Sequence, residues 1–256
     1  MTTVLVTRPA HQAEPLCQLL EQHGFLAERL PLLEIKPLRL TDIDLQMLSR
    51  KPAIDWFIFI SANAVNFALI GNDGKIREHC LAAKIAAVGQ ATANALTCAH
   101  IAVDAVPEQG FNSEALLARP EFQSLQGRRC VIIRGVGGRE LLAETLRARG
   151  AQVEYLNVYE RQPSATDPSR VMELLQAKTL NVITISSAEA LQHLLALLPA
   201  PSEQGQLLNI PLVVISDRLR LIASTLGFKC ITVSNGVSDL DVFKTIINLV
   251  SGEYSG

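Results

Sequence analysis

The sequence predicts an α/β fold, because short β-branched runs that end in a small or hydroxyl residue alternate with Ala/Leu-rich amphipathic stretches along most of its 256 residues. The runs are Val4 to Thr7, Phe57 to Ser61, Ile85 to Gly89, Val131 to Arg134, Val182 to Ser187 and Val213 to Ser216. Unbroken apolar segments such as Phe57-Ile58-Phe59-Ile60 suit strands covered on both faces, as in a parallel sheet flanked by helices. Helix ends are marked as well. A glycine precedes a new strand at His23-Gly24-Phe25, Arg149-Gly150-Ala151 and Leu226-Gly227-Phe228, where glycine readily takes the left-handed conformation that ends a helix. Arg147 and Arg149, in the last turn of their stretch, favour the helix dipole.

With 48% hydrophobic residues, the chain can bury one large core or two small ones. Its 5% aromatic and 19% charged content speaks against a sandwich, a disordered chain or a nucleic-acid module. A formal net charge of -2 provides no broad basic field, so neither nucleic acid nor membrane is expected as a partner. An anionic small molecule would be held by local donors instead. The chain enters a strand at Val4 with no secretory signal before it, and no apolar run is long enough to span a bilayer; a cytoplasmic protein is expected. Cys17, Cys80, Cys98, Cys130 and Cys230 are scattered, without a Cys-x-x-Cys pair, and read as buried reduced thiols. His11, His23, His79, His100 and His193 show no metal-ligand spacing, so no metal is expected.

Two stretches read as passages between domains, Glu34-Ile35-Lys36-Pro37 and Val158-Tyr159-Glu160-Arg161-Gln162-Pro163. Each is β-prone and carries a proline that halts any helix. If both are crossings, the middle of the chain forms one domain and its two ends the other. Leu198 to Gly205 and Gly71 to Gly74 read as surface turns.

The strongest glycine signal is Arg134-Gly135-Val136-Gly137-Gly138-Arg139, between the strand Cys130 to Arg134 and a helix expected over Arg139 to Arg149. Its glycines admit a ligand close to the backbone, and the amides of the following helix attract an anion, carboxylate or phosphate. The alternative is a tight strand-to-helix turn with no ligand. Glu140 stands where a dinucleotide fingerprint needs its third glycine, and no Walker A lysine follows, which disfavours a nucleotide-dependent enzyme.

Thr7-Arg8, Ser61-Ala62-Asn63, Gly89-Gln90-Ala91-Thr92, Ser186-Ser187 and Ser216 would lie at the carboxyl edges of their sheets, where open α/β folds bind ligands. Ser, Thr and Asn are also ordinary helix caps, and one helix start can serve both purposes. No Gly-x-Ser-x-Gly, no His-Glu-x-x-His and no metal-spaced acids are present, so chemistry here depends on positioning and at most one weak acid. Tyr159, in a presumed inter-domain passage, is the candidate acid; the alternative is a tyrosine that packs one domain against its strand. Trp56 is assigned to packing. Arg218 and Arg220 lie near a helix start, where solvation and anion binding are equally open.

Together these segments resemble the uroporphyrinogen-III synthase family over nearly the full length. The resemblance rests on Val4-Leu5-Val6-Thr7-Arg8-Pro9, Phe59-Ile60-Ser61-Ala62-Asn63-Ala64-Val65, Ala87-Val88-Gly89-Gln90-Ala91-Thr92-Ala93, Ser113-Glu114-Ala115-Leu116-Leu117, the Arg134 to Arg139 loop, Arg149-Gly150-Ala151 and Val158-Tyr159-Glu160-Arg161. Ser216-Asp217-Arg218 departs from the family's usual pattern. The resemblance implies two doubly wound parallel-sheet α/β domains joined by a two-stranded linker, one domain being discontinuous: residues 1–36 plus 162–256, and residues 37–161.

It further implies an active site in the cleft between the domains and a lyase that closes hydroxymethylbilane with inversion of its terminal pyrrole. No cofactor is implied. Uncatalysed closure gives the unflipped isomer, so the work is largely conformational control of a flexible polycarboxylate. By the match at Val158-Tyr159, Tyr159 becomes the expected proton donor to the departing hydroxyl. Thr7, Arg8, Ser61, Asn63, Gly89, Thr92, Arg134, Gly137, Gly138, Arg139, Ser186, Ser187 and Ser216 become the expected substrate-binding set. The preceding enzyme, hydroxymethylbilane synthase, is the expected protein partner of a monomer. A non-catalytic two-domain sensor of a tetrapyrrole or small anion is the competing reading.

Overall fold

The structure is a computed structural model that describes all residues except 1, 70, 73, 74, 111, 139, 199 and 253–256. The chain begins with β1 (Thr3–Val6), α1 (Ala10–Gln22), β2 (Leu26–Arg29), β3 (Leu33–Pro37), α2 (Asp42–Ser49), β4 (Trp56–Phe59), α3 (Ala62–Leu69), α4 (Arg77–Leu81) and β5 (Lys84–Ala87). It continues through α5 (Gln90–Cys98), α6 (Ser113–Ala118), β6 (Arg129–Gly135), α7 (Leu141–Ala148), β7 (Gln152–Pro163), α8 (Ser169–Gln176) and β8 (Leu180–Ile185). It ends with α9 (Ala188–Ala196), α10 (Pro201–Leu207), β9 (Leu212–Val214), α11 (Asp217–Thr225), β10 (Ile231–Val233) and α12 (Asp239–Ser251). Two compact units result, residues 1–34 with 162–256 and residues 35–161.

The first unit holds a five-stranded sheet in the order β10-β9-β8-β1-β2, with every adjacent pair parallel. Strand order reverses between β1 and β8. Alternate residues serve opposite faces: Leu5, Ile183, Ile185 and Val214 join the core formed with α8, α9, α10 and α11, whereas Val4, Val6, Val182 and Val213 meet α1 and α12. Covering both faces is what makes these short strands apolar throughout.

The second unit's sheet runs β3-β7-β6-β4-β5, and the β7-β6, β6-β4 and β4-β5 pairs are parallel. Here the order reverses between β4 and β6. Phe57, Phe59, Val131 and Ile133 pack beneath α3 and α5, while Trp56, Ile58, Cys130 and Ile132 pack beneath α6 and α7. Trp56 meets Phe122 with ring centres 4.8 Å apart, a packing role. Along β6 and β7 the register passes from Arg134 opposite Asn157 to Gly135 opposite Tyr159, skipping Val158. That bulge re-aims the following side chain. Val158 and Tyr159 therefore bury in the same core, although they are neighbours on a strand.

Gly150 and Gly227 take left-handed conformations, φ 91° and 98°, just past α7 and α11. Three expectations need correction. The stretch 198–205 contains a helix: Pro201 stands in the first turn of α10, where its fixed φ helps, and buried Leu207 anchors the other end. The helix expected from Arg139 starts at Leu141. Cys17, Cys80 and Cys130 are buried, but Cys98 and Cys230 are exposed thiols, set on a helix end and just before an edge strand. In the turn expected at 71–74, Asn72 is buried and serves Leu40 N, Leu38 O and Phe67 O; residues 73 and 74 lie outside the described residues. No described helix is long and apolar enough to cross a membrane.

Candidate active site

In open α/β sheets the carboxyl ends of strands flanking a reversal of strand order leave a crevice for ligands. In the second unit these strands are β4 and β6. Ser61, next but one after β4, caps α3 by accepting the Ala64 amide on Oγ at 3.1 Å. The Tyr159 hydroxyl stands 3.3 Å from the same Oγ. The Tyr159 ring itself is core, 1% exposed, with the Phe67 ring centre 5.6 Å away and the Arg161 guanidinium 5.8 Å from its centre. Its polar tip is the end that reaches the start of α3.

The glycine loop leaves β6 beside this pair. Gly137 and Gly138 have φ of 76° and 105°, a region closed to most side chains, and a β-carbon on Gly138 would come within 3.1 Å of Arg134 Nη2. Arg134 is 4% exposed. Its Nε donates to Gly135 O at 3.2 Å, its Nη1 to Glu140 Oε1 at 3.1 Å, and its guanidinium carbon lies 4.5 Å from the Tyr155 ring centre. The Tyr155 hydroxyl donates to the other Glu140 oxygen. That bond, with Arg134 behind it, holds the Glu140 carboxyl below its usual range, while burial raises the Tyr155 phenol. Beside the cluster lies a cavity of about 240 Å³, lined by Ile60, Ser113, Arg134, Gly138, Tyr155 and Arg161 among others. The carboxylate of Glu140, the residue before α7, is turned to Arg134 and Tyr155 and makes no capping hydrogen bond to the start of that helix. Arg139 lies outside the described residues.

The remaining expected residues of this unit lie on the same strand-to-helix turns. Gly89 enters α5 in an extended conformation without a side-chain cap, Thr92 is buried in the first turn of α5, and Asn63 is half-buried in the first turn of α3. In the first unit the reversal falls between β1 and β8. The Thr7 hydroxyl, buried there, donates to Thr184 O at 2.7 Å. Arg8 pairs with Asp239 at the start of α12. Ser187 caps α9 through the Ala190 amide at 3.1 Å, Ser216 caps α11 through the Leu219 amide at 3.4 Å, and Ser186 is half-buried before α9.

Sequence reasoning missed Tyr155, Arg161, Ser113 and the role of Glu140. Ser234 was missed as well: it follows β10, donates its amide to Val214 O at 2.8 Å, and buries a hydroxyl without a hydrogen-bond partner. Among the described residues, no group of three or more His, Cys, Asp or Glu could hold a metal ion.

Two doubly wound sheets, parallel-dominated and each with a hydroxyl-capped helix start at its carboxyl edge, define an α/β fold whose strand ends are suited to an anionic small molecule. The family model described as "Uroporphyrinogen-III synthase HemD" matches residues 14–239. The uroporphyrinogen-III synthase of Escherichia coli K12 is 32% identical over 237 residues, covering 93% of this chain and 96% of that one. That of Salmonella typhimurium LT2 is 34% identical over 239 residues, with 93% and 96% covered. Among solved structures, the uroporphyrinogen-III synthetase of Helicobacter pylori 26695 shares the fold with a TM-score of 0.65 at 16% identity, over 97% of this chain and 100% of that one. A mutant uroporphyrinogen III synthase from Thermus thermophilus does so with a TM-score of 0.64 at 18% identity, both chains being covered in full. This chain belongs to the uroporphyrinogen-III synthase family.

Proposed function

We propose that the chain is a lyase of tetrapyrrole biosynthesis that closes hydroxymethylbilane to uroporphyrinogen III. Family membership supports the reaction, and one observation supports its chemistry: the Tyr159 hydroxyl, 3.3 Å from Ser61 Oγ at the reversal of strand order. In this reading Tyr159 gives a proton to the departing hydroxyl, which leaves as water, and the remaining chain is an azafulvene cation. The substituted carbon of the terminal pyrrole attacks it, and a spiro intermediate forms. Fragmentation and renewed closure then turn that pyrrole over, and a proton is lost to restore aromaticity. Ser61 positions the phenol.

Holding the substrate's carboxylates in the productive arrangement is the larger task. Amides and hydroxyls at helix starts suit it, since they stabilise negative charge without a net basic surface. Thr7, Arg8, Ser61, Asn63, Gly89, Thr92, Arg134, Gly137, Gly138, Arg139, Ser186, Ser187 and Ser216 remain the proposed binding set. For Thr7, whose hydroxyl is engaged by Thr184, the backbone is the group on offer. The two compact units are taken as the two domains of the family, with β3 and β7 as the passages between them. A monomeric cytoplasmic enzyme supplied by hydroxymethylbilane synthase completes the reading.

Incubation with freshly prepared hydroxymethylbilane, followed by separation of ring isomers, tests it. Type III product above the spontaneous background is expected. Type I product alone, at the uncatalysed rate, would sink the proposal and leave a non-catalytic binding protein.

A further inference from the structure

We infer that Arg134 and Tyr155 form a receptor for a propionate arm of the substrate, and that Glu140 occupies this receptor in the free chain. The inference rests on the proposed function and deepens it by assigning one subsite.

The receptor is built rather than incidental. Arg134 is 4% exposed, which leaves its charge little water and makes a carboxylate partner strongly favoured. Its guanidinium is fixed by the Gly135 carbonyl at 3.2 Å and the Tyr155 ring at 4.5 Å, and the absence of a side chain at Gly138 leaves it room. The Tyr155 hydroxyl supplies a second donor to the same carboxylate. Arg147 lies over the Tyr155 ring too, 5.5 Å from its centre, so the field around the site is positive.

The present occupant has the chemistry of the proposed ligand. A glutamate side chain, two methylenes ending in a carboxylate, is a propionate. The Glu140 side chain is 49% exposed, and it forms no capping hydrogen bond at the start of α7. It can therefore leave without unmaking a helix end. The cavity of about 240 Å³ opens on the same two donors, with Ser113 and Arg161 on its wall. Arg161 also lies over the Tyr159 ring at 5.8 Å, which ties the subsite to the proposed acid. An arm seated on Arg134 would displace Glu140, so binding is weakened by the fraction of chains in which Glu140 fills the receptor.

The test compares wild type, Glu140→Ala, Glu140→Gln and Tyr155→Phe added to Glu140→Ala. Binding of uroporphyrinogen III is measured by anaerobic calorimetric titration, and kcat and KM are measured with hydroxymethylbilane. Glu140→Ala should bind uroporphyrinogen III about three- to fivefold more tightly and lower KM with kcat little changed, as removal of a half-exposed competing pair implies. Glu140→Gln should fall between. Tyr155→Phe keeps the ring over Arg134; placed in the Glu140→Ala background, where no internal carboxylate shares the bond, it should weaken binding about tenfold or more relative to Glu140→Ala, the loss of one charge-assisted bond. Unchanged or weaker binding in Glu140→Ala, or no weakening when Tyr155→Phe is added to Glu140→Ala, overturns the inference, as does failure of wild type to bind uroporphyrinogen III at all. Wild type that binds and responds to these variants but makes no type III product would instead refute the proposed reaction and leave the receptor standing.

Discussion

Gly135 and Tyr159 face each other across β6 and β7 so closely that a β-carbon on Gly135 would stand 2.4 Å from Tyr159 Cε2 and 2.6 Å from Cζ. No real β-carbon tolerates such a distance from a ring enclosed by core. The conformation of Gly135 is not the reason for glycine here; the space belongs to the phenol. Gly135→Ala should therefore push the ring off its position. About 1–3 kcal/mol of stability should be lost to overpacking, and turnover should fall by about 10–100-fold as the hydroxyl moves away from Ser61. Thermal melting and the type III assay check both. Full activity with an unchanged melting temperature would show that the phenol has room to spare.

Tyr159→Phe separates the hydroxyl from the ring. The ring stays among Phe67 and the β6–β7 core, and only a long 3.3 Å contact with Ser61 disappears, so the melting temperature should stay within a few degrees of wild type. If Tyr159 is the acid, kcat should fall by about a hundredfold or more. Ser61→Ala is the counterpart: it should cost about 1 kcal/mol through loss of the α3 cap and lower kcat less than Tyr159→Phe does. An unchanged rate in Tyr159→Phe removes the residue from the mechanism.

Arg129 is the second buried guanidinium of this unit, and its role is different. It is 1% exposed, donates to Glu154 Oε2 at 2.8 Å, to Arg50 O at 2.8 Å, to Pro52 O at 2.9 Å and to Met47 O, and so clamps the turn between α2 and β4. Arg129→Met fills the volume but takes the guanidinium from the Arg50 and Pro52 carbonyls, from Met47 O, which keeps the Arg50 amide, and from Glu154, which keeps the Arg50 guanidinium. A loss of about 1–3 kcal/mol is expected from leaving buried carbonyls without a donor, read as a lower urea midpoint. A near-neutral result would mean that water reaches those carbonyls.

The α/β alternation was legible because covering both faces of each sheet forces unbroken apolar strands: Phe57 and Phe59 turn to one core, Trp56 and Ile58 to the other. Strand-end hydroxyls were legible for a local reason, as Ser61, Ser187 and Ser216 each cap the helix that follows. The Arg134–Glu140–Tyr155 cluster was not. It depends on α7 beginning at Leu141 rather than Arg139, and on the bulge at Val158 that sends Tyr155 and Tyr159 to opposite faces, neither of which is a property of spacing. The helix Pro201–Leu207 was hidden by its own composition, since proline and glycine read as punctuation until Leu207 finds the core.

Alkali should weaken this fold, and the thiols show in which window. Burial pushes Cys80 and Cys130 up to about 12 and Cys17 up to about 11, from an ordinary value near 9. Above that ordinary value the unfolded chain releases these protons while the folded chain keeps them. The stability they contribute is then fully present below about pH 9 and is lost as pH rises toward 11–12. Each buried thiol should remove at most about 1.4 kcal/mol per pH unit across that window. Urea midpoints measured at pH 8, 9 and 10 should fall more steeply for wild type than for Cys80→Ala or Cys130→Ala, whatever fixed cost those variants carry at pH 8. A native-state thiol titration completes the check: Cys98 and Cys230 should react at once and the other three only after denaturant is added. Equal slopes would mean that the folded and unfolded chains hold these protons alike, and five fast thiols that solvent reaches the buried sulfurs without global unfolding.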